Sequence, residues 1–226
     1  MFEMNNNLFL QGLSKFLAGL VIVMVLLFIP AGTFAYWQAL LFIGVLFVPM
    51  ILFGLVLMKR NPDLLRKRLS AKEKEREQKR VVDISGVMFV AMFIIAGFNR
   101  RFDWWMLPDG IVLSAAAAFL LGYVMYAEVM RENVWLSRII EVHENQKVVD
   151  KGLYGVVRHP MYTSTLILFL SMPLILSSPW SFVIMLLYIP IIVKRIINEE
   201  SVLSNELDGY AEYKQKVRYR LVPYLW

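Results

Sequence analysis

The sequence has 226 residues, of which 58% are hydrophobic and 19% charged, and it carries a formal net charge of +6. Its apolar residues fall into blocks close to the ~20 residues that cross a bilayer, which excludes an ordinary soluble domain. The sequence contains no cysteine, which excludes disulfides, thiolate nucleophiles, iron–sulfur clusters and cysteine-ligated zinc.

These blocks predict an all-α integral membrane protein with about six transmembrane or re-entrant helices. Backbone groups in lipid must be satisfied within their own segment, which favours helices, and the sequence lacks the alternating short strands of a membrane barrel. Lysine and arginine flank the apolar blocks. The net positive charge is therefore explained by the positive-inside rule for membrane proteins rather than by a nucleic-acid partner.

The first two blocks, Phe16–Phe34 and Trp37–Met58, predict a helical hairpin with a turn at Pro30 and Gly32. The first block is apolar like a signal peptide, but only one basic residue, Lys15, precedes it and a second apolar block follows. We therefore expect the hairpin to be retained in the mature protein.

The segment Lys59–Arg80 holds ten basic residues, which predicts a cytoplasmic connector. Leu64, Leu65 and Leu69 allow an alternative in which part of it lies on lipid headgroups as an interfacial helix. RNA binding is disfavoured because no aromatic residue interleaves with the charges.

A second hairpin is predicted from Val81–Phe98 and Ile111–Val129, with Asn99–Pro108 as its loop, and Arg131–Glu144 predicts a polar continuation of the latter helix. Two hairpins on a cytoplasmic connector place both termini and residues 131–159 in the cytoplasm.

The last apolar segments, Met161–Leu176 and Trp180–Val193, are short for full spans and are interrupted by prolines. They predict a helix-turn-helix, residues 161–193, that enters the membrane and returns, its second arm extending into Lys194–Tyr213. We therefore divide the chain into membrane helices and their connector, residues 1–130, and a cofactor-binding and catalytic region, residues 131–226.

Two polar clusters flank this last hairpin, Gly152–Tyr162 and Lys194–Glu200. Because a hairpin returns the chain to the side where it began, both clusters are expected to meet there. His159 precedes Pro160, which favours an extended residue followed by a helix start with free N–H groups suited to a carboxylate.

Side chains of the clusters suit a ligand site. Arg158 adds a donor, and Tyr154 and Tyr162 offer rings for an adenine or a sulfonium. Arg195 and Glu199 share one helix face near the bilayer boundary, where ionisable groups are usually functional or paired. Each feature taken alone has a plainer interpretation, as a membrane anchor, an aromatic belt or a surface ion pair.

The region from about Asn133 onward resembles the isoprenylcysteine carboxyl methyltransferase family and its phospholipid-methyltransferase relatives. The resemblance rests on these motifs: Gly152-Leu-Tyr154, Arg158-His159-Pro160-Met-Tyr162, Glu199-Glu200-Ser-Val-Leu203, Tyr210-Ala-Glu-Tyr213, Arg218 and Pro223. The family often has glycine where this chain has Ser164, which is still small. The first 130 residues match only in being hydrophobic helices.

The resemblance implies an S-adenosyl-L-methionine pocket between cytoplasm and bilayer, and a lipophilic methyl acceptor that enters from the bilayer. Arg195, Glu199 and Glu200 are the implied catalytic residues, with Arg195 orienting the acceptor and Glu200 able to take a proton from an amine. The implied cofactor-binding residues are Gln146, Lys147, Val148, Val149, Tyr154, Arg158, His159, Pro160, Tyr162 and Glu199.

Two other functions stay open, an NADPH-dependent membrane reductase of isoprenoids or sterols and a non-catalytic membrane scaffold. The acceptor also stays open, among an isoprenylcysteine, phosphatidylethanolamine, a quinone precursor and another apolar acid, and the oligomeric state is unknown. No metal site is expected: His143 has only Glu141 and Glu144 near it in sequence, so a solvated histidine is favoured over a ligand.

Overall fold

The computed structural model describes residues 6–60, 62, 65–66, 69, 76–133, 135, 142 and 145–226, with only the backbone described for 6–7 and 76–82. Within these residues all regular structure is helical. The helices are α1 Asn6–Ala31, α2 Trp37–Arg60, α3 Arg76–Phe102, α4 Asp109–Glu132, a 3₁₀ turn at Gly152–Gly155, α5 Pro160–Ile175, α6 Pro179–Leu186, α7 Tyr188–Glu206 and α8 Tyr210–Lys216.

The described helices include five segments long and apolar enough to cross a membrane. They are Leu8–Ala31, Trp37–Arg60, Asp83–Phe102, Asp109–Glu132 and Pro179–Glu206, and the apolar helix Pro160–Ile175 is shorter. The predicted fold class, an all-α integral membrane protein, is confirmed. The placement of both termini in the cytoplasm stays a prediction from the charge pattern.

The predicted continuation of the fourth helix, Arg131–Glu144, holds for its first two residues and is wrong beyond them, because α4 ends at Glu132. The Asn133 side-chain oxygen accepts a hydrogen bond from the Trp135 N–H at 3.0 Å. A side chain that bonds the backbone two residues ahead replaces the helical pattern with a turn. Residues 136–141 and 143–144, which include His143 and its two glutamates, lie outside the described residues.

The last hairpin differs from the prediction in its second arm, which is interrupted and ends earlier than expected. Its first arm, α5, has 16 residues and is short as expected, but α6 and α7 together form a 28-residue candidate span, Pro179–Glu206. A break separates α6 from α7 at Leu187, which follows because Pro190 has no N–H for the carbonyl of Leu186. The helix ends at Glu206, short of the predicted Tyr213, and Gly209 turns the chain at φ +81°.

The chain divides into two compact units, one of which comprises Met1–Ala116 and Met172–Ile184. In this unit Gly97 of α3 lies where a Cβ atom would approach the Leu27 carbonyl and the Pro30 ring to 2.7 and 2.8 Å. Glycine therefore permits α1 and α3 to pack closely. The buried Tyr36 hydroxyl donates to the Leu176 carbonyl at 2.5 Å, which satisfies the hydroxyl.

The other unit comprises Ala117–Ser171 and Met185–Trp226. A Cβ atom at Gly122 of α4 would lie 3.0 Å from the Leu168 side chain of α5, so this glycine permits the two helices to pack closely. One apolar cluster joins α5, α7 and the C-terminal segment through Tyr162, Ile192, Ile196 and Leu221. This unit holds both polar clusters.

Candidate active site

The 3₁₀ turn positions Tyr154, and it depends on Gly152. Gly152 has φ +58°, and a Cβ there would overlap the Glu132 carboxylate at the end of α4. That carboxylate accepts the Leu153 N–H at 3.0 Å, which fixes the turn against α4. The Tyr154 ring is buried, its hydroxyl accepts from the Asn133 amide at 3.0 Å, and its carbonyl accepts from the Tyr213 hydroxyl at 2.7 Å.

The Arg158-His159 pair is held by the C-terminal segment. The backbone N–H groups of Arg158 and His159 donate to the carbonyls of Tyr219 and Arg220, both at 2.9 Å. The Arg158 guanidinium also donates to the carbonyls of Val217 and Arg218 at 2.7 Å. The segment just before α5 is therefore held against the C-terminal segment by four hydrogen bonds.

A buried ion network centres on Glu200. Its Oε1 accepts from Arg158 Nε at 2.6 Å and lies 3.2 Å from His159 Nε2, and its Oε2 accepts from Arg220 Nε at 2.9 Å. The side chains of Arg158 and Glu200 are 6% and 5% exposed. Such a pair is tolerated inside a protein only when further hydrogen bonds satisfy both groups, and the carbonyl contacts of Arg158 and the bond from Arg220 do so.

A second polar group centres on the Tyr162 hydroxyl. It donates to Glu199 Oε2 at 2.5 Å and accepts from Arg195 Nε at 2.9 Å. Arg195 and Glu199 thus share one face of α7, as their spacing predicts. His159 Nδ1 lies 3.9 Å from Glu199 Oε1, so the histidine ring stands between the two adjacent glutamates.

These groups open onto a pocket in this unit, with a cavity volume of about 100 Å³. Aromatic and aliphatic walls with a few polar groups are typical of a small-molecule site. The lining residues are Asn133, Trp135, Gln146, Val148, Val149, Tyr154, Arg158, His159, Met161, Tyr162, Arg195, Glu199, Leu203, Leu207, Tyr210 and Tyr213.

One polar atom in this wall is left without a partner. The Tyr210 hydroxyl is buried and forms no hydrogen bond with any described residue. A buried hydroxyl without a partner costs free energy, so its presence in a pocket wall fits a bound ligand that supplies the acceptor or donor. Burial raises the pKa values of Tyr154, Tyr210 and Tyr213, so these tyrosines stay neutral at physiological pH.

Three of the site residues predicted from sequence do not line the pocket. Lys147 is exposed between the lining residues Gln146 and Val148, Pro160 is buried as the first residue of α5, and Glu200 lies behind the wall. The other predicted residues do line it. Within the described residues, no group of three metal-binding side chains occurs.

Sequence reasoning missed several lining residues, among them Asn133, Trp135, Met161, Leu203, Leu207, Tyr210 and Tyr213. Tyr210 and Tyr213 could have been predicted, because they belong to a motif that carries the family resemblance and stand three residues apart, on one face of a helix. Leu203 and Leu207 stand four and eight residues after Glu199, a spacing that places residues on one face of a predicted helix. Asn133 and Trp135 offer no such signal because they follow the end of a helix.

Known proteins support the predicted resemblance. Residues 110–208 match the sequence model of the phospholipid methyltransferase family, PEMT. Among solved structures, the chain is similar to the eukaryotic intramembrane Ras methyltransferase ICMT, isoprenylcysteine carboxyl methyltransferase, solved without a monobody. The two share 19% identity over 94% of this chain and 76% of that chain, with a TM-score of 0.57, which is a likeness of fold. No curated protein matches the sequence.

The matched segment contains Tyr154, the Arg158-His159-Pro160 motif and the Glu199-Glu200 pair, and it ends before Tyr210. The resemblance that the motifs predict is therefore confirmed for this part of the chain. Together the family match and the shared fold support a membrane methyltransferase.

Proposed function

We propose that the protein is an integral membrane methyltransferase that transfers a methyl group from S-adenosylmethionine to a lipophilic acceptor. The observation that carries the proposal is one pocket into which Tyr154, His159, Tyr162, Arg195 and Glu199 converge, inside the segment that matches the family. The two polar clusters that sequence analysis set apart contribute these residues from either end of the last hairpin.

The donor set fits the cofactor. S-adenosylmethionine presents an ammonium, a carboxylate, a sulfonium and an adenosine. Glu199 is a partly exposed carboxylate in the pocket wall, suited to the ammonium, and His159 and Arg158 offer donors to the carboxylate. The rings of Tyr154 and Tyr162 suit the sulfonium, since an aromatic face attracts a cation. The unpartnered Tyr210 hydroxyl adds a group that needs a ligand.

The adenosine side of the site is assigned to the segment 146–149. Gln146 brings an amide, and Val148 and Val149 bring apolar surface, to the pocket wall. An amide with apolar neighbours suits a purine, which has a polar edge and flat apolar faces. Lys147 points away and is assigned no contact with the cofactor.

The cofactor, when bound, supplies an electrophilic methyl group on a sulfonium sulfur. The chain itself orients the reactants and excludes water, which are the main aids to an in-line displacement. Met161, Leu203 and Leu207 form apolar wall around the polar groups. Arg195, held by the Tyr162 hydroxyl, is placed to orient an anionic group of the acceptor.

Glu200 is assigned a positioning role. A carboxylate that accepts from two arginines and faces a histidine is poorly suited to take a proton from an amine acceptor. Through its bonds to Arg158 and His159 it holds both side chains against the pocket. A carboxylate acceptor, as in an isoprenylcysteine, needs no base and fits this arrangement better than an amine head group. From the charge pattern, the pocket opens to the cytoplasm.

Calorimetric titration of the detergent-purified protein with S-adenosylmethionine and with NADPH tests the proposal. We expect micromolar binding of the former, weakened at least about tenfold in Glu199→Ala because a charge-assisted hydrogen bond contributes ~1.5–3 kcal/mol. Tighter binding of NADPH than of S-adenosylmethionine would instead support the reductase hypothesis. If neither compound binds, the protein shares the fold of the methyltransferase but not its chemistry. Methyl transfer from labelled cofactor into membrane lipid extracts then identifies the acceptor.

A further inference from the structure

A second cavity lies on the other side of Glu200. It is an open groove of about 330 Å³, and it shares no lining residue with the candidate active site. Ser201, Ser204 and Asn205 of α7 line it together with Lys214 of α8 and Arg220 of the C-terminal segment. Glu200 forms its floor and connects it to the network of Arg158 and His159.

Positive charge exceeds negative charge in this groove. The Glu200 carboxylate is shared by two guanidinium groups, Arg158 on one oxygen and Arg220 on the other. Lys214 lines the groove beside Arg220, and its ammonium donates to the Ser204 hydroxyl at 3.3 Å. Among the lining residues one carboxylate stands against two cations, which leaves a net positive site and favours an anionic ligand.

The donors of the groove are arranged for a multidentate anion. Arg220 uses Nε for Glu200 and lies over the Trp226 ring at 4.9 Å, and its two terminal nitrogens have no partner within the described part of the chain. The Ser201 hydroxyl and the Asn205 amide also line the groove, whereas the Ser204 hydroxyl donates to the Glu200 carbonyl at 2.6 Å. A guanidinium fork, an ammonium and hydroxyl groups are the donors that proteins use for phosphate oxygens.

We propose that this groove binds a phosphate group, carried by an anionic phospholipid or by free phosphate. The apolar part of α7 ends at Lys194, and the groove runs from Ile197 to Asn205. At a rise of ~1.5 Å per residue it begins about 5 Å beyond the apolar stretch, within the headgroup layer, and extends about 12 Å further into water. Both sources of phosphate therefore reach it.

Two probes test the proposal on the full-length protein in nanodiscs. Inorganic phosphate is titrated calorimetrically in phosphatidylcholine nanodiscs at constant ionic strength. Bound phosphatidylglycerol is counted by native mass spectrometry after reconstitution in mixed phosphatidylcholine and phosphatidylglycerol. Ser201→Glu places a carboxylate in the groove, and Lys214→Gln removes one cation. Lys151→Gln, which removes an exposed charge outside the groove, is the matched control.

We expect at least one probe to bind the native protein and to lose about tenfold in affinity, or about 1.4 kcal/mol, in Ser201→Glu. Lys214→Gln is expected to lose severalfold, and Lys151→Gln less than twofold. If the groove substitutions weaken only the binding of inorganic phosphate, the ligand is free phosphate. If they lower only the number of bound phosphatidylglycerol molecules, the ligand is a lipid headgroup. If neither probe binds, or if all three variants bind as the native protein does, the proposal is overturned. No methyl donor is present, so the outcome is independent of the proposed enzymatic activity.

Discussion

Arg158 Nε and Glu200 Oε1 lie 2.6 Å apart, and both side chains are almost fully buried. The pair connects the start of α5 to α7, and the carbonyls of Val217 and Arg218 bring the C-terminal segment to the same guanidinium. Three segments distant in sequence are thus joined at one ion pair directly behind the candidate active site.

Glu200→Gln is expected to destabilise the protein by about 3–5 kcal/mol, because it leaves the buried Arg158 guanidinium without its counter-charge. Thermal unfolding in detergent, followed by helical circular dichroism, measures the change. Glu206→Gln, at the exposed end of the same helix, is the control and should unfold within about 0.5 kcal/mol of the native protein. Equal unfolding temperatures for both variants would contradict the assigned positioning role.

The sequence contains enough to predict that the two polar clusters meet, since a hairpin with a cluster at each end has few alternatives. It also predicts that Arg195 and Glu199 share a face, because residues four apart on a helix do so. What it does not specify is which of two adjacent glutamates faces the ligand. Successive residues on a helix point about 100° apart, and the rotation of α7 is set by its apolar contacts, through Ile192 and Ile196.

The pairing of Arg158 and His159 with the tail was also beyond sequence reasoning. Backbone bonds between residues about sixty positions apart leave no period in the sequence, and no propensity marks them. The end of α4 at Glu132 was missed for a different reason, because the polar residues that follow are compatible with a solvated helix and the turn depends on a single asparagine.

Arg195→Lys is expected to lower kcat/KM for the methyl acceptor by about 10–150-fold while the Kd of S-adenosylmethionine changes less than threefold. Lysine keeps the charge but lacks the planar guanidinium, and the loss corresponds to one charge-assisted hydrogen bond of ~1.5–3 kcal/mol. Steady-state kinetics with a membrane-derived acceptor, together with calorimetry, separates the two effects. Lys194→Gln changes a neighbouring exposed charge and should alter neither quantity. Equal losses in cofactor and acceptor binding would count against the role assigned to Arg195.

Gly152→Ala is expected to destabilise the protein by at least about 1–3 kcal/mol, because alanine is strained at φ +58° and its Cβ would displace the Glu132 carboxylate. The displacement also releases the Leu153 N–H, so the turn that carries Tyr154 shifts and cofactor affinity falls. Gly44→Ala in α2, where the added carbon meets no atom within 4 Å, is the matched control and should be neutral or slightly stabilising. Unfolding temperature and cofactor binding measured on both variants check this, and a Gly152→Ala variant as stable as the control would refute the steric argument.

Tyr210 and Tyr213 offer a matched pair on one helix. The Tyr210 hydroxyl is buried without a partner among the described residues, whereas the Tyr213 hydroxyl donates to the Tyr154 carbonyl at 2.7 Å. Tyr210→Phe is therefore expected to raise the stability of the ligand-free protein by about 1 kcal/mol, since it removes an unsatisfied buried group. Tyr213→Phe is expected to lower it by about 0.5–1.5 kcal/mol, since it removes a formed hydrogen bond.

The affinity for S-adenosylmethionine provides a second test of the Tyr210 hydroxyl. If the Tyr210 hydroxyl finds its partner on the ligand, Tyr210→Phe weakens S-adenosylmethionine binding by about 2–12-fold, which is the effect of a hydrogen bond of ~0.5–1.5 kcal/mol. A variant that is more stable without ligand but binds the cofactor more weakly would show that the Tyr210 hydroxyl lowers stability and serves ligand binding. Unfolding in detergent and calorimetry on the same preparations provide both numbers. Lower stability with unchanged affinity would instead mean that the Tyr210 hydroxyl is satisfied within the protein.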